Sequence, residues 1–162
     1  MTGGASARLI KSLMSAERLI IAGLMAVIAI LTLAQVFWRY VLELPLQWSE
    51  EVARYCFVWV TFVGAAALMR LCDGHPAIDA LHHVVSAAVR RALEIFSRLV
   101  TIAGLVAIGF GGFRMVQLQW HQLSPSLELP MAFIYLAMVI GPLIGVFWTL
   151  WCASYGSVDD EA

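Results

Sequence analysis

The sequence predicts an all-α integral membrane protein with four transmembrane helices in an antiparallel bundle, and three observations lead there. Hydrophobic residues make up 62% of the 162 positions and charged residues only 13%, outside the range of soluble globular domains. Mean hydropathy is +0.86. Four apolar runs, each long enough to cross a hydrocarbon layer of about 30 Å, are separated by charged or turn-forming residues. Backbone groups in hydrocarbon must be satisfied within the chain, so such runs form helices. The helices use up the length, leaving residues 1–162 as a single membrane domain.

The first helix is expected at about residues 19–42. Arg8, Lys11 and Arg18 precede an uncharged run from Leu19 to Trp38, too long for a signal-peptide core, so it is read as a retained helix ended by Pro45. The second is expected at about 49–71. Ser49 is a suitable N-cap, Glu50 and Glu51 favour the positive end of the helix dipole, and Asp73-Gly74 marks the stop. A third, at about 89–120, runs up to the breakers Ser124-Pro125. The fourth, at about 131–153, begins after Pro130 and precedes the acidic tail Asp159, Asp160 and Glu161. Between helices two and three, DGHPAIDALHHVVSAAVRR mixes apolar and polar residues in the manner of a short amphipathic connector.

Arginines bracket the uncharged cores of the second and third helices: Arg54 and Arg70, then Arg98 and Arg114. Their long side chains can reach the headgroups from just inside the boundary. Placing both termini in the cytoplasm leaves Arg39, Arg54 and Arg114 outside and every other Lys and Arg inside, as the positive-inside rule requires. A net charge of -1 and the absence of a basic cluster give no reason to invoke nucleic acid.

The polar residues point to structure more than to chemistry. Glu50 and Glu51 are adjacent on a helix and project about 100° apart, so they do not converge on one substrate atom. Arg54 lies at i+4 and i+3 from them, and Arg39 comes close across the turn. These residues predict a structural clasp of Arg39, Glu50, Glu51 and Arg54 beneath an aromatic belt of Trp38, Tyr40, Trp48 and Tyr55. His75, His82, His83 and His121 fall in loops or at ends, where they cannot ligate haem inside a bundle. Asp79 and His83 stand at i,i+4 without a second ligand motif. Cys56, Cys72 and Cys152 have neither metal-site nor CxxC spacing and read as small apolar residues. No catalytic, cofactor-binding or metal residue is therefore assigned. Glu17 lies at the end of the first helix, and the spanning cores carry no ionisable group of the kind ion-coupled carriers use. Small residues at packing distance, Ala103, Ala107 and Gly111 on the third helix and Gly64 to Ala67 on the second, offer close-approach faces.

The stretch QVFWRYVLELPLQWSEEVARYCFVWVTFVGAA, residues 35–66, resembles the signature of the DctQ-like small membrane subunit of TRAP (tripartite ATP-independent periplasmic) transporters. There an Arg-Tyr helix end is followed by Pro, Trp, an acidic pair and a second Arg-Tyr, here Arg39, Tyr40, Pro45, Trp48, Glu50, Glu51, Arg54 and Tyr55. Gly74, His75 and Asp79 resemble the family's G-x-H-x-x-x-D connector, with one residue fewer between Gly and His and with Pro76 in place of an aliphatic residue. SPSLELPMAFIYLAMVIGPLIG, residues 124–145, resembles the opening of the family's last helix.

That resemblance implies a four-helix subunit of a bacterial or archaeal inner membrane with cytoplasmic N- and C-termini. It implies two partners besides membrane lipids: a large TRAP membrane subunit, which moves an organic acid on a sodium gradient, and a periplasmic substrate-binding protein. The small subunit then acts as a scaffold for the first and helps dock the second, without a cofactor of its own. Two rival readings are a stand-alone small transporter or channel and the anchor subunit of a membrane redox complex. The missing mid-membrane charge argues against the first, the placement of the histidines against the second.

Overall fold

Residues 4–44, 46–71 and 86–155 are described by a computed structural model of the chain. Five helices account for most of them: α1 (Gly4–Val41), α2 (Gln47–Leu68, prolonged by a 3-10 turn over Met69–Leu71), α3 (Ala87–Gln119), the short α4 (Ala132–Tyr135) and α5 (Ala137–Tyr155). α1, α2, α3 and the combined α4–α5 are each long and apolar enough to cross a membrane. The predicted four-helix membrane fold is thus observed. The proposed amphipathic connector, with Gly74, His75, Asp79, His82 and His83, lies outside the described residues.

Two boundaries depart from expectation for physical reasons. α1 begins well before Leu19, and its 38 residues make a rod of about 57 Å, nearly twice the hydrocarbon thickness. Its N-terminal part is held by packing: Ile10 and Met14 are buried against Trp148 of α5. Ser49 is not the N-cap of α2. Leu46 holds that position without a side-chain cap bond, and the Ser49 hydroxyl instead donates to the Leu46 carbonyl oxygen at 2.6 Å. Between α1 and α2, Glu43 adopts φ 55°, and the Leu44 N–H closes back onto Trp38 O at 3.2 Å.

Successive helices alternate in direction, but their spatial order is α1, α2, α5, α3. α2 and α5 therefore run side by side in the same direction. Gly141 of α5 meets α2 so closely that a Cβ there would stand 2.7 Å from Phe62 Cβ and 2.8 Å from its carbonyl oxygen. One turn on, Gly145 lies against Ala66 and the end of Leu105. On the other flank, a Cβ on Gly112 of α3 would stand 2.7 Å from Met138 Cβ and 3.0 Å from Met138 O. Pro142 lies inside α5, so it offers no N–H to that same carbonyl. The glycine lets the α3 backbone cover it.

Without water to drive association, such close backbone approach is what holds membrane helices together. Of the predicted α2 face, Ala66 and Ala67 are buried, whereas Ala65 is exposed and nothing stands within 4 Å of a Cβ on Gly64. Ala103, Ala107 and Gly111, in contrast, are exposed, and nothing stands within 4 Å of a Cβ on Gly111. α3 packs through Gly109 and Gly112 instead. Among the cysteines, Cys56 is free and half-buried, and Cys152 is buried.

Replacing Gly141 by Ala forces its methyl onto Phe62 backbone, where the neighbour has no flexible end to move. It should destabilise the bundle by roughly 1–3 kcal/mol. Gly104→Ala meets nothing within 4 Å and should leave stability nearly unchanged. Thermal unfolding of the two variants in detergent, beside the wild type, checks the contrast.

Candidate functional site

Polar side chains collect at the two ends of the bundle. At the end that carries the α1–α2 turn, Ser49 is completely buried and accepts a hydrogen bond from Gln35 Nε2 at 2.9 Å. It ties the last turns of α1 to the start of α2. Two residues on, Glu51 is also buried. Its Oε1 accepts from the Tyr55 hydroxyl at 2.9 Å, and its Oε2 accepts from the Ser126 backbone N–H at 3.0 Å. The buried Ser124 side chain lies in reach of both Glu51 and Tyr55.

The loop that Glu51 holds is compact in its own right. Leu123 and Pro130 form an isolated antiparallel bridge, Ser124 N–H donates to Leu129 O at 2.8 Å, and Met131 N–H donates to Gln122 O at 2.9 Å. Glu128 takes φ 53° to close it. Both ends of the SPSLELP segment are thereby fastened, and Glu51 pins its middle.

The predicted clasp therefore separates into two sets. Glu51 and Tyr55 are brought together, though as a carboxylate–phenol pair serving the loop. Arg39, Tyr40, Trp48, Glu50 and Arg54 are exposed, and among the described residues no ion pair joins Arg39 or Arg54 to Glu50 or Glu51. Helical spacing allowed the Arg54 pairs, but the backbone N–H of Ser126 and the Tyr55 hydroxyl already occupy the Glu51 carboxylate. Chemically, Glu51 is spent on structure. The exposed five, of mixed charge and aromatic character, stand as a rim around the α1–α2 turn at the same end of the bundle as the pinned loop.

At the opposite end lies a cluster that sequence reasoning missed. Glu17 is 3% exposed and Trp148 fully buried. Trp148 Nε1 donates to Glu17 Oε1 at 2.8 Å, and Arg70 Nη1 stands 3.5 Å from Glu17 Oε2. α1, α2 and α5 are joined there by one carboxylate. No local pattern announces a contact between residues so far apart in sequence. The only available hint is the similar depth of Glu17 and Arg70 at the ends of neighbouring helices.

Residues 28–155 match the family described as "Tripartite ATP-independent periplasmic transporters, DctQ component". Among curated relatives, a protein of Haemophilus influenzae named as a TRAP transporter small permease protein is 26% identical over 102 residues, covering 63% of this chain and 61% of the relative. The C4-dicarboxylate TRAP transporter small permease protein DctQ of Rhodobacter capsulatus is 31% identical over 104 residues, 63% of this chain and 45% of that protein. The sialic acid TRAP transporter permease protein SiaT of Haemophilus influenzae is 34% identical over 80 residues, 49% of this chain and 13% of that much longer protein. The matched part of this chain thus spans about three fifths of the first of these relatives and less of the others.

Two outcomes test the clusters. Glu51→Gln weakens the acceptor for Ser126 N–H, so amide hydrogen exchange at residues 123–129 should accelerate, while Glu50→Gln, at an exposed position, should leave it unchanged. Glu17→Ala removes a buried counter-charge from Arg70, a change that typically destabilises by about 3–5 kcal/mol. The double variant Glu17→Gln/Arg70→Gln, which removes both charges, should melt closer to the wild type than Glu17→Ala does.

Proposed function

Because the chain belongs to the DctQ-component family of TRAP transporters, we propose that it serves as the small membrane subunit of such a transporter for an organic acid, bracing the large subunit and helping to dock the substrate-binding protein. The family is a transporter component, and the chain is a multi-pass membrane protein. In this reading sodium-coupled movement of the substrate takes place in the large subunit. The termini lie in the cytoplasm of a bacterium or archaeon, and the α1–α2 turn faces the periplasm.

One observation carries the scaffold role. The interior polar groups at both bundle ends are committed to joining helices and loops to one another, through Ser49 and Glu51 at one end and Glu17 at the other. From residue 55 to residue 69 on α2 and from 99 to 113 on α3 the spanning cores hold no Asp, Glu, His, Lys or Arg, so no chain of charged groups leads across the membrane. The same pinning leaves Tyr40, Trp48, Glu50 and Arg54 facing outward on a rigid support. Exposed aromatic and charged side chains on a fixed backbone suit protein docking.

The relatives name different substrates, C4-dicarboxylate for one and sialic acid for another. This division supports a role for the small subunit that does not select the substrate.

The test uses a strain carrying the complete transporter. Charge reversal at the rim, Glu50→Lys with Arg54→Glu, should lower substrate uptake and co-purification of a large polytopic partner by several-fold while the melting temperature of the purified chain stays at the wild-type value. Unchanged uptake and an unchanged complex would remove the rim from the docking surface. Solute flux through the chain reconstituted alone would overturn the scaffold role itself.

A further inference from the structure

A groove of about 270 Å³ runs between α3 and α5 on the outer surface of the bundle. Val106, Gly109, Phe110 and Phe113 of α3 line one side, Pro142 and Leu143 of α5 the other. Gly109 brings the two helices together there: a Cβ on it would sit 3.6 Å from Pro142 Cβ, in ordinary van der Waals contact. Phe110 and Leu143 are exposed at its mouth, and all six residues fall within helical segments able to span a membrane. The groove therefore opens outward at membrane depth, where an acyl chain can enter it.

A cation stands beside it. Arg114 is one helical turn beyond Phe110, is exposed, and forms no ion pair among the described residues. It also cannot simply lie in water. Only about 24 Å of helix separates Arg98 from Arg114, less than the hydrocarbon thickness of about 30 Å, so the two backbone positions cannot both lie outside that layer. An arginine at such depth extends toward an anion at the membrane surface. On α2, Arg70 stands at a comparable position and has Glu17 within the bundle; Arg114 has no such carboxylate. Gln117, one turn beyond Phe113 and exposed, adds a second polar group at the same end of the groove.

We propose that this is a binding site for a single glycerophospholipid, with one acyl chain in the α3–α5 groove and the phosphate held by Arg114. The groove is wholly apolar and opens outward at membrane depth, and, independently, the cation at its end calls for an anion at headgroup depth. A free anion would satisfy Arg114 and leave the groove open; a partner helix would fill the groove and leave Arg114 needing a carboxylate. A phospholipid meets both demands in one molecule. The site is distinct from the exposed rim of Glu50 and Arg54, and it holds whether or not the scaffold reading does.

The experiment is native mass spectrometry of the full-length chain, delipidated in mild detergent and titrated with dioleoylphosphatidylglycerol or with dioleoylglycerol, which has the same chains and no phosphate. Wild type should retain one dioleoylphosphatidylglycerol in clear preference to dioleoylglycerol. Arg114→Gln should weaken that retention by about fivefold to tenfold, and Val106→Trp, which fills the groove, should abolish it; Leu143→Trp replaces Val106→Trp if the latter melts below the wild type. Glu50→Gln, remote from the groove, should bind as wild type does. Equal retention of the two lipids, or retention unaffected by Arg114→Gln and the groove-filling variant, would overturn the proposal. So would a photo-crosslinker at Leu143 that, in native membranes, labels a protein helix instead of lipid.

Discussion

The contact between α2 and α5 is the constraint on which the remaining structure depends. Two helices running in the same direction gain nothing from opposed dipoles, and lipid supplies no hydrophobic force to press them together. What remains is dispersion between surfaces that fit, and at Gly141 the fit leaves no room for a methyl group. With this pair fixed in the centre, α1 attaches to the far side of α2 and α3 to the far side of α5. The glycine at position 112 repeats the solution on the second seam, where it also covers the carbonyl that Pro142 leaves without its helical donor.

Polar chemistry then distinguishes the ends from the middle. A charge within a low-dielectric interior requires a partner, and the bundle supplies partners where helices or loops need joining. Glu17 bonds Trp148 and faces Arg70. Glu51 gathers a phenol and a backbone amide from a loop far along the chain. Residues of the same chemical type one position away, such as Glu50, remain exposed because their helical direction points them off the bundle. The mixture of internal anchoring and external display arises from the 100° step between adjacent residues.

The four spans were legible because apolar length is a local property, and so were the polar ends and the family likeness of the residues around the first turn. What stayed hidden was set by distant partners. Leu19 marks where α1 becomes uncharged, but Trp148 lets helix persist back beyond Met14. The spacing of Glu51 and Arg54 suggested an ion pair, whereas the carboxylate bonds Ser126, 75 residues away. A stripe of Ala103, Ala107 and Gly111 looks like a packing face, yet Gly109 and Gly112 make the contacts; periodicity identifies faces without saying which one has a neighbour. Ser49 has the residue type of a cap, but its hydroxyl serves Leu46 and receives Gln35.

Gly141 and Gly145 stand one turn apart, and this creates an ambiguity. If α5 slid along α2 by one turn, about 5.4 Å, Gly145 would arrive opposite Phe62 and the narrow seam would close again. Small-residue packing alone therefore tolerates two alignments. The break in the helix at Leu136 removes the degeneracy, because just before it Trp59 of α2 donates its indole N–H to Phe133 O at 3.1 Å. A displaced α5 would lose that bond and carry Trp148 away from Glu17 at the other end. Two indole hydrogen bonds, one near each face of the membrane, thus act as index marks that select a single register from a surface that would otherwise accept its own translation.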